Sequence, residues 1–139
     1  MRLVVDTNIL VSALLSATSS PARLVLLWRA GRFDLLTAAE QLDEIARVTR
    51  YPKIRERLIP AVAGRLVNDL RALAITVGNL PVVEASPDPD DNYLLAIALA
   101  GSADFLVTGD KRDLLGLGTH AGTRLNSARA FLDLHGKHL

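Results

Sequence analysis

Residues 1–16 read MRLVVDTNILVSALLS, and this stretch decides how the rest of the chain is interpreted. Leu3, Val4 and Val5 form a short, wholly apolar and largely β-branched run. Such a run predicts a strand buried on both faces, the type found in parallel sheets. It ends on a carboxylate, Asp6, and Asn8 to Leu15 then predicts a helix. Asp6 and Asn8 also interrupt the apolar stretch where a secretory h-region would not place a carboxylate. Further along, Phe105-Leu106-Val107 repeats the pattern: a buried strand closed by Thr108-Gly109-Asp110.

Between these two strands the chain alternates. Ser19-Ser20-Pro21 reads as a cap followed by proline in a first turn, starting a helix to about Ala30 that Gly31 ends. Phe33 to Leu36 predicts a second strand. Thr37-Ala38-Ala39-Glu40 has capping-box spacing, so a helix is expected from there to about Thr49, with Leu42, Ile45, Ala46 and Thr49 as its inner stripe. Pro52 interrupts the chain, Pro60 to Leu73 predicts another amphipathic helix, and Ala74 to Val77 a short strand before a loop at Gly78, Asn79 and Pro81. Asp88-Pro89-Asp90-Asp91 is a strong helix start, since an aspartate caps, proline follows, and further acids favour the positive end of the helix dipole. The helix it opens, Asn92 to Ala100, is almost wholly apolar and must be buried, with Gly101 as its stop. Asn126 or Ser127 starts a last helix to about Leu134. Strands alternating with helices throughout predict an α/β fold, a three-layer α/β/α sandwich with a central parallel sheet.

The chain has 139 residues, half of them hydrophobic, which suits one domain spanning 1–139 with its own core. It contains no cysteine, which excludes a disulfide scaffold, a thiolate zinc site and cysteine nucleophilic chemistry. No segment approaches the roughly 20 apolar residues of a bilayer span. The expectation is a cytoplasmic protein with no membrane association. A net charge of +1 conceals uneven placement. Asp88, Asp90 and Asp91 crowd one stretch, and Arg47, Arg50, Lys53, Arg55 and Arg57 another.

Asp6 and Asp110 occupy the same structural address, just beyond the carboxyl end of a predicted buried strand, where open parallel sheets form their ligand crevices. Asp91 lies three, four and seven residues before Leu94, Leu95 and Ala98, so it tops the inward stripe of its helix. Three acids meeting in one crevice repel unless a cation sits between them. All-oxygen ligation suits Mg²⁺ or Mn²⁺. Each acid alone has a plainer reading: a strand-end aspartate as turn former, and Asp88, Asp90 and Asp91 as caps. Glu44 falls beside the inner stripe of its helix, where a glutamate ordinarily reads as a solvated charge.

The opening LVVDTNILVSALL resembles the start of PIN-domain nucleases. LDEIARVTRYPK (Leu42 to Lys53) is similar to that family's second motif, DPDDNYLLAIALA (Asp88 to Ala100) to its third, and ADFLVTGD (Ala103 to Asp110) to its fourth. The four occur in the family's order over nearly the whole chain. The most similar branch holds the VapC-like toxins of type II toxin–antitoxin systems. The resemblance implies a Mg²⁺- or Mn²⁺-dependent endoribonuclease leaving 5′-phosphate and 3′-hydroxyl ends, a homodimer, and a small antitoxin partner. Carried over residue by residue, the acidic set becomes Asp6, Glu44, Asp91 and Asp110, supported by Asn8, Thr108 and Asp90. The third motif offers Asp88, Asp90 and Asp91, and Asp91 is chosen because the Leu-Ala-x-Ala tail follows it at the family's distance. Asp113 stands where some relatives carry a further acid, and Lys111-Arg112-Asp113 reads equally as an exposed helix start.

RNA drawn to an acidic site needs cations along its approach. Arg47, Arg50, Lys53 and Arg55 are the candidates for phosphate contacts, the plainer reading being a solvated surface. His120, His135 and His138 read as surface residues. Trp28, with Leu24, Val25 and Leu27, reads as core or dimer surface, a face that could also receive an antitoxin helix. A receiver domain would want a second acid beside Asp6, and a haloacid-dehalogenase phosphatase would want Asp-x-Asp where Asp6-Thr7-Asn8 stands. The remaining alternative is a PIN-like RNA-binding or interaction module that has lost catalysis.

Overall fold

The computed structural model describes residues 1–109 and 114–139. Its strands are β1 (Arg2–Val5), β2 (Asp34–Thr37), β3 (Ile75–Thr76), β4 (Phe105–Val107), β5 (Thr119–His120) and β6 (Thr123–Asn126). They form one sheet of order β3-β2-β1-β4-β6-β5. Every pairing is parallel except β5 with β6. The apolar run at residues 3–5 is the reason β1 sits near the centre: Leu3, Val4 and Val5 are buried, and only a strand covered on both faces can accept them.

Alternation along β1 divides the core. Leu3 and Val5 face one cluster with Leu24, Val25 and Trp28 of α2 (Ser20–Arg29), Leu66 and Leu70 of α5 (Pro60–Leu73), and Phe131 of α7 (Ala128–His135). Val4 faces the other, built on Leu94, Leu95, Ile97 and Ala98 of α6 (Pro89–Gly101). The result is the expected three-layer α/β/α sandwich. The first layer also holds α1 (Thr7–Leu15) and α3 (Ala39–Val48), and a one-turn α4 (Pro52–Arg55) lies between α3 and α5 in the chain. No single helix among the described residues is long and apolar enough to cross a membrane.

Local signals hold at several boundaries. The Ser19 hydroxyl accepts from the Ala22 amide at 3.2 Å and Pro21 occupies the first turn of α2. That helix closes with Gly31 at φ 76°, while the amides of Gly31 and Arg32 return to the carbonyls of Trp28 and Leu27. This is the Schellman arrangement, and the positive φ makes glycine the natural residue there.

One expectation fails and two are sharpened. Thr37 does not cap α3. It ends β2, and its hydroxyl donates to Gln41 Oε1 at 2.7 Å, leaving Ala38 as a cap without a side-chain bond. α6 ends at Gly101 as expected, while the left-handed residue that closes it is Ser102 at φ 53°. Gly101 is instead required by contact, since a Cβ there would stand 2.5 Å from Leu36 Cδ1, a side chain fully enclosed by the core. Of the two readings of the Trp28 face of α2, core is the one observed: Leu24, Val25 and Trp28 are all buried within the chain, which sets aside the dimer and antitoxin surface there.

The β5–β6 hairpin adds an element that the sequence pattern does not announce. Its two loop residues, Ala121 and Gly122, have φ 48° and 87°, as a tight two-residue turn with positive φ at both central positions demands.

Candidate active site

The sheet grows from β1 toward β2 on one side and toward β4 on the other, so a crevice opens beyond the carboxyl ends of β1 and β4. Asp6 and Thr108 stand at those two ends. The Asp6 amide donates to the Val107 carbonyl at 2.9 Å, extending the ladder by one step and placing the carboxylate over the crevice. Asp6 is buried, and both its oxygens are held: Oδ1 accepts from the Asn8 amide at 3.1 Å and Oδ2 from the Thr108 hydroxyl at 2.8 Å. Asp6 is therefore at once the N-cap of α1 and a fixed anion in the crevice.

The crevice is a cleft of about 500 Å³ lined by Asp6, Asn8, Ser12, Glu44, Asp88, Asp90, Asp91 and Gly109, with Ile9, Val48 and Leu94 supplying its apolar wall. The end of β1, α3 and the start of α6 thus bring five carboxylates to one opening. Asp91 lines the cleft with Leu94 one turn below it, as its position on the α6 stripe predicts. Asp88 caps α6 by accepting from the Asp90 amide at 2.9 Å, and Asp90 is exposed. Asn8 supports Asp6 through its backbone, its side chain being exposed. Asp110 and Asp113 lie outside the described residues.

Glu44, a surface charge by helical position alone, is half-buried at the cleft. Its Oε1 accepts the hydroxyl proton of Tyr93 at 2.8 Å, and its Oε2 is 3.9 Å from Arg47 Nη2. Tyr93 is a site residue that sequence reasoning missed. Its hydroxyl also meets Thr7 Oγ1 at 3.2 Å. A carboxylate only accepts, so the phenol donates to Glu44 and the Thr7 hydroxyl is the donor to the phenol oxygen. Burial pushes the Tyr93 phenol far above its ordinary value, the Thr7 hydrogen bond opposes this, and the Glu44 and Asp6 charges add to the rise. The phenol stays protonated and remains a donor.

Gln41 is a second such residue. It is buried, takes the Thr37 hydroxyl on Oε1, and donates from Nε2 to the Val5 carbonyl at 2.7 Å. That bond ties the start of α3 to the end of β1, one residue before Asp6. No sequence period marks it, because an amide on the edge of an apolar stripe reads as surface.

Among the described residues, Arg47 is the proposed cation that reaches an acid of the cleft. Arg50 folds its Nε onto the Ala46 carbonyl at 2.8 Å. With Arg55 and Arg71 it borders a separate groove of about 340 Å³, floored by Ala46, Ala63, Gly64 and Val67. Lys53 is exposed on α4 and lines neither. His135 packs against Phe105 and Phe131, away from the cleft.

Among the described residues, no group of three or more His, Asp or Glu side chains is close enough to hold a metal ion between them. The donor set nevertheless fits a hard divalent cation, being carboxylate throughout. Mg²⁺ is commonly held by only one or two carboxylates, with waters and phosphate oxygens completing its shell.

A parallel sheet with an acidic cleft at its switch point agrees with what known proteins show. The PIN domain family matches residues 2–112, and the chain belongs to that family. The crystal structure of VapBC2 from Rickettsia felis bound to a DNA fragment from their promoter is similar in fold, with a TM-score of 0.56 at 17% identity over 91% of this chain and 98% of that one. No curated protein matches the chain.

Proposed function

We propose that this chain, read as one domain, is a divalent-metal-dependent endoribonuclease, the VapC-like toxin of a type II toxin–antitoxin pair. The observation that carries the reading is the cleft itself, where Asp6, Glu44, Asp88, Asp90 and Asp91 converge at the topological switch point of the sheet. So dense a negative site repels a phosphodiester unless a cation intervenes. Asp6 and Asp91 would hold it, with Glu44 binding directly or through water and Asp110 as the fourth acid expected from the family. A bound Mg²⁺ or Mn²⁺ supplies charge neutralisation of the phosphate and a more acidic water.

The chain's own residues do the remaining work. Thr108 and the Asn8 amide fix Asp6 in one orientation, so its charge needs little rearrangement during reaction. Gln41 holds the strand end on which Asp6 stands. Ile9, Val48 and Leu94 narrow the cleft with apolar surface, which strengthens electrostatic interactions inside it. Arg47 is mostly exposed and only 3.9 Å from Glu44, so it is free to turn to an incoming phosphate. Arg50, Lys53 and Arg55 contribute beyond the cleft.

A small antitoxin partner and a homodimer in the cytoplasm belong to the same reading. Its support is the family membership and the likeness in fold to VapBC2, a protein captured on promoter DNA. The spacing of the described acids favours a second reading, a PIN-like module that binds RNA without cleaving it. Incubating a labelled single-stranded RNA with the protein and Mg²⁺ or Mn²⁺, beside Asp6→Asn, separates the two. Metal-dependent cleavage lost in the variant supports the nuclease, and undiminished cleavage by Asp6→Asn removes the assignment.

A further inference from the structure

We propose that Tyr93 fixes Glu44 as a single-oxygen ligand and so biases the cleft toward Mg²⁺ and Mn²⁺ over Ca²⁺. The inference rests on the metal site proposed above. A glutamate projecting from a helix has three rotatable bonds, and an unanchored carboxylate offers either or both of its oxygens. Here it is anchored. The phenol occupies one lone pair of Oε1 at 2.8 Å and restrains the group, leaving Oε2, 3.9 Å from Nη2 of the exposed Arg47, as the oxygen without a bond from Tyr93.

The anchor is itself held. Thr7 is buried, is the first residue of α1, and directly follows Asp6. Its hydroxyl grips the phenol oxygen at 3.2 Å. Tyr93 therefore couples α6, α3 and the start of α1, and relates the position of Glu44 to that of Asp6. A phenylalanine would fill nearly the same space and lose only the oxygen that makes these contacts.

The consequence for metal choice follows from coordination chemistry. Ca²⁺ accepts six to eight oxygens at longer distances and readily takes a carboxylate through both of them. Mg²⁺ demands near-octahedral geometry at short distances and prefers single oxygens with several waters. A Glu44 locked to one oxygen suits the smaller ion, and a Glu44 freed to turn suits the larger. Tyr93 is thus a positioning residue acting through Glu44.

The test is calorimetric titration of metal-stripped protein with Mg²⁺, Mn²⁺ and Ca²⁺, using wild type, Tyr93→Phe, Glu44→Gln and the double variant, with circular dichroism to verify folding. Tyr93→Phe is expected to lower Mg²⁺ affinity about tenfold, the scale on which outer hydrogen bonds tune metal sites, while Ca²⁺ affinity stays near wild type. In the Glu44→Gln background the same change should have no further effect, because the group through which it acts is altered. Thr7→Val loosens the phenol from its other side and should move the Mg²⁺ to Ca²⁺ ratio in the same direction, which serves if Tyr93→Phe does not fold. An unchanged ratio in Tyr93→Phe, or an equal loss in both backgrounds, overturns the role of Tyr93 while leaving the metal site standing. Wild type that binds none of the three ions, or Asp6→Asn that binds Mg²⁺ as wild type does, removes the site and this inference with it.

Discussion

Two depressions of opposite character lie back to back on α3. Glu44 and Val48, one turn apart, look into the acidic cleft, whereas Ala46, and Arg50 just past the end of the helix, border the arginine groove. The cleft is built by convergence. Its carboxylates come from a strand end, α3 and the start of α6, and two of them, Asp6 and Glu44, are fixed by hydrogen bonds from Thr108, the Asn8 amide and Tyr93. The groove is built by proximity along a helix pair, α3 and α5 with α4 between them. Of its three guanidiniums only Arg50 is pinned to the backbone, and none forms an ion pair among the described residues. A buried carboxylate held at both oxygens, as Asp6 is, suits chemistry. Loosely held cations at a rim suit attraction. The same helix thus separates a place where charge is held from a place where charge gathers a partner.

Breaking the cleft should produce the largest effect. Asp6→Asn keeps a residue able to cap α1 but removes a buried charge, and is expected to lower RNA cleavage on the order of 10³-fold with little loss of folding stability, judged by initial rates and thermal melting. Next in size is the scaffold beneath it. Gln41→Leu leaves the buried Val5 carbonyl and Thr37 hydroxyl without their partner, so a loss of about 2–3 kcal/mol is expected in urea unfolding. If that variant unfolds as wild type does, the tie between α3 and β1 contributes nothing.

The groove should respond more gently and in a different parameter. Replacing Arg50, Arg55 and Arg71 together by Gln is expected to weaken single-stranded RNA binding about tenfold. The salt dependence should flatten by roughly 0.7 for each phosphate that is no longer neutralised, with kcat unchanged. A lowered kcat at saturating RNA would mean that the two regions are not separable in the way described.

Legibility in the sequence followed the same division. Residues 3–5 and 105–107 announced strands because a buried parallel strand must be apolar on both faces, and Asp6 at the end of the first inherited a place in the crevice, Asp110 lying outside the described residues. Asp91 was legible from its position above Leu94 and Leu95. Glu44 was reached through family resemblance only, for its helix face was ambiguous. Tyr93 and Gln41 were not legible. A tyrosine on an otherwise apolar helix reads as core, and its partner Glu44 is 49 residues away, a pairing that leaves no local period. Thr37 misled because its spacing to Glu40 satisfies a capping box, yet the hydroxyl found the nearer Gln41 amide oxygen. The β5–β6 hairpin escaped notice because Ala121-Gly122 stands where Asn-Gly or Asp-Gly would have signalled the turn. Elements governed by local periodicity were readable, and contacts that join distant segments were not.

The smallest effect concerns the edge of the cleft where Tyr93 sits, and it distinguishes that edge from the groove by pH. The folded chain holds the Tyr93 phenol protonated well above its ordinary value of 10.0, chiefly through burial, whereas the unfolded chain releases the proton near that value. Folding stability supplied by this group is therefore complete below pH 10 and is lost as pH rises beyond it, because the native state then binds more protons than the unfolded one. The slope reaches at most one proton, about 1.4 kcal/mol per pH unit. Tyr93→Phe should lie below wild type at neutral pH by the worth of its two hydrogen bonds, yet decline less steeply above pH 10 in thermal melts. Arginines remain charged across that range, so the triple groove variant should decline in parallel with wild type. Parallel decline of Tyr93→Phe and wild type would show that the phenol is not held by the cleft, and would place Tyr93 with the passive core of α6.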